Sequence, residues 1–268
     1  MELREKTVEI LAAVRESSPM VHHITNRVVM NFTANVTLCM GAAPVMAPCI
    51  EESPEMVKYA GALLLNIGTL DLPLVESMMA AGRAANEAGI PVIFDPVGAG
   101  ATALRTRAAE MICRHLKLSI VRGNAGEILS LAGQGGRVRG VDSMDTLGNR
   151  IDVISSLASD RGWTVALTGA EDVVTDGERT VVLTNGDPVM GRVTGTGCAA
   201  TTAVACCAAA WIDPFEAAAA GIAAMGLAGE KAASLCSGPG TFVPHFLDAL
   251  ANMEPSAVRE GMAFHGPE

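Results

Sequence analysis

The sequence predicts an α/β fold: a three-layer sandwich whose central sheet is mostly parallel, covered by helices on both faces, with an antiparallel edge. Three observations carry this. Short, nearly continuous apolar runs alternate with longer helix-period segments between residues 62 and 168, the pattern of repeated βα units. Turn signals then crowd residues 172–193, which marks antiparallel pairing. From Gly197 onward the chain is Ala-rich at helical spacing. Half of the residues are hydrophobic but only 3% are aromatic, so small aliphatic side chains fill the interior and the layers must pack closely.

Leu3, Ile10, Leu11 and Val14 recur at helical spacing, and Ser17-Ser18-Pro19 stops that first helix. The runs 62–66 (ALLLN), 91–95 (PVIFD), 119–122 (SIVR) and 164–168 (TVALT) read as strands buried on both faces. Helices are expected between them over 72–87, 106–116 and 146–159, and right-handed crossovers distribute them over both faces. Asp176-Gly177 and Gly186-Asp187 divide residues 172–175, 179–184 and 189–193 into three further strands. Two Ala-rich helices broken near Asp213-Pro214 follow, then a third after Gly238-Pro239-Gly240. No linker or repeat divides residues 1–268, so one domain is expected, with a tail after about residue 253 lacking ordered structure.

The formal net charge is −10, which repels nucleic-acid backbones and anionic membrane surfaces. Neither class of partner is expected. Seven cysteines without CxxC spacing read as reduced thiols of a cytoplasmic protein. The first ten residues alternate charged and apolar side chains, unlike an export signal. The longest uncharged stretch is Ala-rich and broken by turn residues, a buried helix and not a membrane span.

No GxxxxGK[ST] loop is present, and no GxGxxG follows the first strand. The strongest local feature is Val193-Thr194-Gly195-Thr196-Gly197-Cys198 at the start of an Ala-rich helix. Its glycines and the open amides of a first helical turn make an anion hole, or else a tight strand-to-helix connection. Cys198 sits where a helix start favours a thiolate; base, orienting group, nucleophile and small buried hydrophobe all remain open for it, whereas Cys206 and Cys207 read as core. Asp95 and Glu127 follow successive strands, at the sheet edge where ligands collect. They read as a magnesium pair, or as a turn cap and a helix-start carboxylate. Arg122 reads as a phosphate clamp or a surface ion pair, and Met46 as a pocket or a core residue. His22 and His23 point to opposite faces of a strand, and Asn31 and Asn35 share a helix face.

Taken together, the segments HITNRVVMNFTANVTLCMGAAPVMA (23–47), LLLNIGTLD (63–71), VIFDPVGAGAT (92–102), VRGNAGEI (121–128), TVALTGAEDVVTDG (164–177) and RVTGTGC (192–198) resemble the hydroxyethylthiazole kinase family, a thiamine-salvage branch of the ribokinase-like superfamily. The likeness runs from about residue 19 to 250. Related ribokinase-like enzymes usually carry Asp where Cys198 stands. The resemblance implies a ribokinase-like fold and ATP-dependent phosphorylation of 4-methyl-5-(2-hydroxyethyl)thiazole. It also implies a homotrimer with active sites between subunits. Residue by residue, it implies thiazole contacts at Met46, Gly195 and Asn26, ATP contacts at Arg122 and Thr168, magnesium near Asp95 and Glu127, and a catalytic role for Cys198. The competing readings are a hydroxymethylpyrimidine or pyridoxal type kinase, an acyl transferase using Cys198 as nucleophile, and a nucleotide-binding protein without turnover.

Overall fold

The structure, a computed structural model, describes residues 2–134 and 146–266. In chain order its elements are α1 (Glu2–Ser17), β1 (Met20–Ile24), α2 (Met30–Met40), β2 (Ala43–Met46), α3 (Ser53–Met56), β3 (Ala62–Asn66), α4 (Leu72–Ala88), β4 (Val92–Asp95), α5 (Ala103–His115), β5 (Ile120–Asn124), α6 (Ala125–Leu129), α7 (Leu147–Arg161), β6 (Thr164–Thr168), β7 (Asp172–Thr175), β8 (Thr180–Leu183), α8 (Thr196–Ala210), α9 (Pro214–Leu235), α10 (Pro239–Ala251), α11 (Pro255–Gly261) and β9 (Phe264–His265). The helix starts follow from their caps: Asp71, Thr102, Thr146 and Asp213 each accept a first-turn amide on a side-chain oxygen.

The strands form one sheet in the order β2-β1-β3-β4-β5-β6-β7-β8-β9. The first six are parallel, and β7, β8 and β9 add an antiparallel edge; the turn signals predict β7 and β8. Strand alternation splits the core in two. Leu64, Ile93, Ile120, Ala166 and Val174 pack toward α1, α2, α8, α9 and α10, while Leu63, Leu65, Phe94, Val121 and Leu167 pack toward α4, α5 and α7. Ala203, Ala217, Ala220 and Ala224 are fully buried on the first side; their single methyl groups let α8 and α9 lie close together beneath the sheet. Among the described residues no helix is long and apolar enough to cross a membrane.

Two expectations are corrected. Residues 189–193 do not form a strand: Pro188–Arg192 is a 3-10 turn capped by Asp187, which accepts the Val189 amide at 2.8 Å, and Pro188 cannot donate to a ladder. The tail after Met253 is ordered through residue 266. It makes α11 and then β9, which pairs antiparallel with β8. Arg4 reaches back from α1 to hold the Met262 carbonyl with two donors, at 3.0 and 2.9 Å.

Candidate active site

The alternation that builds the core also builds the site. Leu64, Ile93, Ile120 and Ala166 face α8 and α9, so the residues two further along β3, β4, β5 and β6 share that face at the carboxyl ends of the strands. Those residues are Asn66, Asp95, Arg122 and Thr168. Four adjacent parallel strands thus deliver a row of polar side chains to the first turns of α8.

The row is joined by hydrogen bonds. Asn66 Nδ2 donates to Asp95 Oδ2 at 2.8 Å, and Thr201 Oγ1 from α8 donates to the same oxygen at 2.8 Å. Asn26, just beyond β1, donates to Asn66 Oδ1 at 2.8 Å. Cys198 Sγ accepts from both amides, at 3.4 Å from Asn26 Nδ2 and 3.2 Å from Asn66 Nδ2. Arg122 donates through Nη2 to Thr168 Oγ1 and places Nη1 3.9 Å from Asp95 Oδ1. Asn66, Asp95 and Thr201 are fully buried.

Asp95 accordingly carries a costly charge. Burial pushes its carboxyl up to about 6, Glu127 adding to the rise while Arg122, Thr201 and Asn66 oppose it. Cys198 is pushed up to about 11 by burial and then by the Asp95 charge. This overturns the expectation of a thiolate: the helix start is outweighed by desolvation and by a carboxylate. At neutral pH the group is a thiol held by two amide donors, a poor base.

α8 opens without any capping side chain. Gly195 is its N-cap, in the left-handed region at φ 91, and no side chain accepts a first-turn amide. A methyl group at Gly197 would stand 2.9 Å from Arg122 Nη1, so the absent side chain is what lets the guanidinium lie against the backbone of that turn. Amides and guanidinium together make a concentrated positive site. A cavity of about 690 Å³ opens directly onto it, walled by Arg122, Thr168, Asp172, Gly186, Thr196 and Gly197 among others. Asp172 accepts the Gly169 amide at 2.9 Å, and burial raises its carboxyl to about 6.

The other expected residues fall as follows. Arg122 is buried and is not a surface ion pair. Glu127 does serve as a helix-start carboxylate: it closes a capping box with Asn124, accepting that residue's amide at 2.9 Å on Oε2, and it also accepts the Gly98 amide at 2.8 Å on Oε1. Asp95 is not a turn cap. Gly195 packs against the start of α2, where a methyl group would meet Val29 Cγ1 at 2.8 Å. Met46 ends β2, level with His23 and half-buried at the sheet edge, with no bond to the Asp95 network. Cys206 and Cys207 are core. His22 and His23 are both buried, bonded to the Ala47 carbonyl at 2.9 Å and to Thr37 Oγ1 at 3.1 Å. Asn35 bonds Asn31 one turn away.

Three residues of the site were not singled out from the sequence. Asn66 closes an otherwise apolar buried strand, a polar terminus readable from ALLLN. Thr201 is one helical turn beyond Cys198. Arg105 joins the loops after β3 and β4 by donating to the Ile67, Val97 and Gly68 carbonyls; no sequence signal announces that.

Among the described residues, no three His, Cys, Asp or Glu side chains gather to hold a metal ion. The acids present suit magnesium that keeps waters and phosphate oxygens as its main ligands. Asp95 Oδ1 is buried with no hydrogen-bond partner, and each Glu127 oxygen accepts only one amide.

Residues 11–256 match the model of the "Hydroxyethylthiazole kinase family". The chain belongs to that family. A hydroxyethylthiazole kinase from Methanocella arvoryzae is 52% identical over 249 residues, which are 93% of this chain and 94% of the relative. The structure of the hydroxyethylthiazole kinase protein from Pyrococcus horikoshii OT3 superimposes with a TM-score of 0.89 at 40% identity, covering 98% of this chain and 99% of the other. More distant structures share the fold alone. A ribokinase-like superfamily protein from Enterococcus faecalis V583 has a TM-score of 0.61 at 15% identity, covering 86% of each chain. The pyridoxal kinase from Staphylococcus aureus has 0.56 at 16%, covering 79% of this chain and 88% of its own. The chain is therefore a kinase with a ribokinase-like fold, and its likeness to the pyridoxal kinase is the more distant one.

Proposed function

We propose that the chain transfers the γ-phosphoryl group of ATP to the hydroxyl of 4-methyl-5-(2-hydroxyethyl)thiazole. The observation that carries the reading is the uncapped start of α8, which lies between the cavity and Cys198 with Arg122 against it. Nucleotide occupies the cavity, with its terminal phosphate on the Gly195–Cys198 amides. The alcohol enters from the side of Asn26, Gly195 and Met46. Phosphoryl transfer has a loose transition state, so alignment and charge neutralisation supply most of the catalysis. The α8 amides and Arg122 take the charge on the equatorial oxygens, and Thr168 keeps Arg122 in place. Asp95 and Glu127 are the residues that would hold magnesium, which when bound offsets phosphate charge as a Lewis acid. Val28 and Leu72 are exposed apolar residues near the Arg27–Asp71 ion pair at 2.8 Å, each with 66% of its surface open; this rim suits closure by a second copy in a cytoplasmic homotrimer.

The test is coupled ADP release with a panel of alcohols, including a hydroxymethylpyrimidine and pyridoxal, with and without magnesium. Turnover that is magnesium-dependent and greatest with the thiazole alcohol is expected. Preference for another alcohol would reject the substrate assignment. Cys198 supplies a second expectation. A thiol pushed up to about 11 is scarcely ionised at pH 7 and is therefore a weak nucleophile and base, so Cys198→Ala loses less than the ~10²–10⁴-fold expected for a removed acid–base group. Cys198→Asp also remains active. Intact-protein mass spectrometry during turnover shows no adduct; an adduct together with inactive, folded variants would establish covalent catalysis instead.

A further inference from the structure

Part of the wall of the nucleotide cavity is the segment from Thr184 to Gly191, which includes Asn185, Gly186, Asp187 and Met190. It links β8 to the turn before α8 and is clamped at both ends. At the far end, Thr196 Oγ1 donates to the Met190 carbonyl at 3.0 Å. At the near end the clamp is Asn185, whose amide makes three hydrogen bonds to protein. Oδ1 accepts the Ala263 amide at 2.6 Å, while Nδ2 donates to Glu230 Oε1 at 3.0 Å and to the Gly261 carbonyl at 2.9 Å. Glu230 Oε1 also accepts the Gly186 amide at 3.0 Å, and Thr184 donates to the Ala263 carbonyl at 3.1 Å. One side chain therefore ties the cavity wall to α9 and to the segment between α11 and β9. That segment lies beyond the stretch matched by the family model, which ends at residue 256.

We infer that Asn185 is a positioning residue for the nucleotide, holding the cavity wall against α9 and the C-terminal segment so that the site is shaped before ligand arrives. Both N–H donors of the Asn185 amide are engaged by protein, which leaves none to hold a phosphate oxygen, so Asn185 acts through the backbone of residues 184–191. Ordering that backbone in advance removes an entropic cost from nucleotide binding and from nothing else in the reaction. Arg4, which holds the Met262 carbonyl, extends the same support to α1.

This inference rests on the assignment of the cavity to ATP, and one experiment separates the two. ADP binding is titrated calorimetrically, and KM for ATP and for the thiazole alcohol are measured, in the full-length wild type, Asn185→Ala, Glu230→Ala and Glu230→Gln. Asn185→Ala is expected to weaken ADP binding and raise KM for ATP at least tenfold, leaving KM for the alcohol within twofold. Glu230→Gln keeps an acceptor oxygen and stays near wild type, and Glu230→Ala shifts KM for ATP severalfold. If Asn185→Ala does not fold, the two Glu230 variants give the same comparison. A lowered melting temperature with both KM values unchanged makes Asn185 a purely structural residue and overturns the inference while the ATP assignment stands. Wild-type chain that binds no ADP overturns both.

Discussion

Asp95→Asn loses turnover by at least about a hundredfold, the several kcal/mol expected when charge stabilisation at a transferring phosphoryl group is removed, yet it unfolds no more easily than the wild type at pH 7. The two halves share one cause. Asp95 is fully buried, and its carboxyl is raised from 3.8 to about 6, so the folded chain binds that proton more tightly than the unfolded chain. Stability from this group is complete below about pH 4 and is lost as pH rises through 6, on the order of 3 kcal/mol. Asn keeps the shape and can still accept from Asn66 and Thr201 on its oxygen; it gives up the pairing with Arg122, which the desolvation of the Asp95 charge already outweighs in the wild type. The stability of the wild type relative to Asp95→Asn should fall between pH 4 and 7. The difference isolates Asp95 from Asp172, which is raised to about 6 and acts in the same direction in both proteins, and from the buried rings of His22 and His23, which burial lowers and which act in the opposite direction in both. Wild-type kcat/KM should drop below about pH 6 as Asp95 takes up its proton. Wild-type turnover in Asp95→Asn, or a melting temperature well below wild type at pH 7, would contradict this account.

Arg122→Met is the second large effect, and it strikes binding, chemistry and stability together. The guanidinium touches the first turn of α8, Thr168 and the vicinity of Asp95 Oδ1. Its loss removes the only cation drawn into this network among the described residues. KM for ATP should rise at least tenfold and kcat fall about a hundredfold, as for removal of one preorganised transition-state donor. Stripping one partner from a buried ion pair costs roughly 3–5 kcal/mol when the other charge is stranded. Here Asp95 escapes by taking a proton, so the cost should be larger at pH 8 than at pH 6. In Asp95→Asn/Arg122→Met no charge is stranded, and the double variant should melt above Arg122→Met alone at pH 8. Strict additivity of the two changes at pH 8 would show that the groups do not act as a pair.

The βα units from residue 62 to 168 and the hairpin beyond them were legible because strands covered on both faces must be continuously apolar, and the helices between them carry caps and helical periodicity. β1 was legible only as a strand under His22 and His23, without bounds, and β2 was not legible. MVHHI carries two histidines in a buried strand, tolerated because Thr37 and the Ala47 carbonyl bond them. APVM carries a proline that only the sheet edge accommodates. Those partners are distant in sequence, so no local pattern reveals them. The tail failed for a similar reason: α11 and β9 are held by Arg4, Asn185 and the open edge of β8.

For the site, residue types and chain order alone determined that Asp95, Arg122, Thr168 and the Gly195–Cys198 turn stand at the carboxyl ends of strands or at a helix start, because strand ends and helix starts are local properties. The tertiary structure decided what those groups are. Burial beside Asp95 makes Cys198 a thiol and not a thiolate. Two backbone amides turn the Glu127 carboxylate into a strut between α6 and the Gly98 loop, and Asn66 and Thr201 join the network only because β3 and α8 meet there. Protonation state and hydrogen-bond partnership depend on what surrounds a group within a few ångströms, and in this chain those surroundings come from segments as far apart as Asn26 and Thr201.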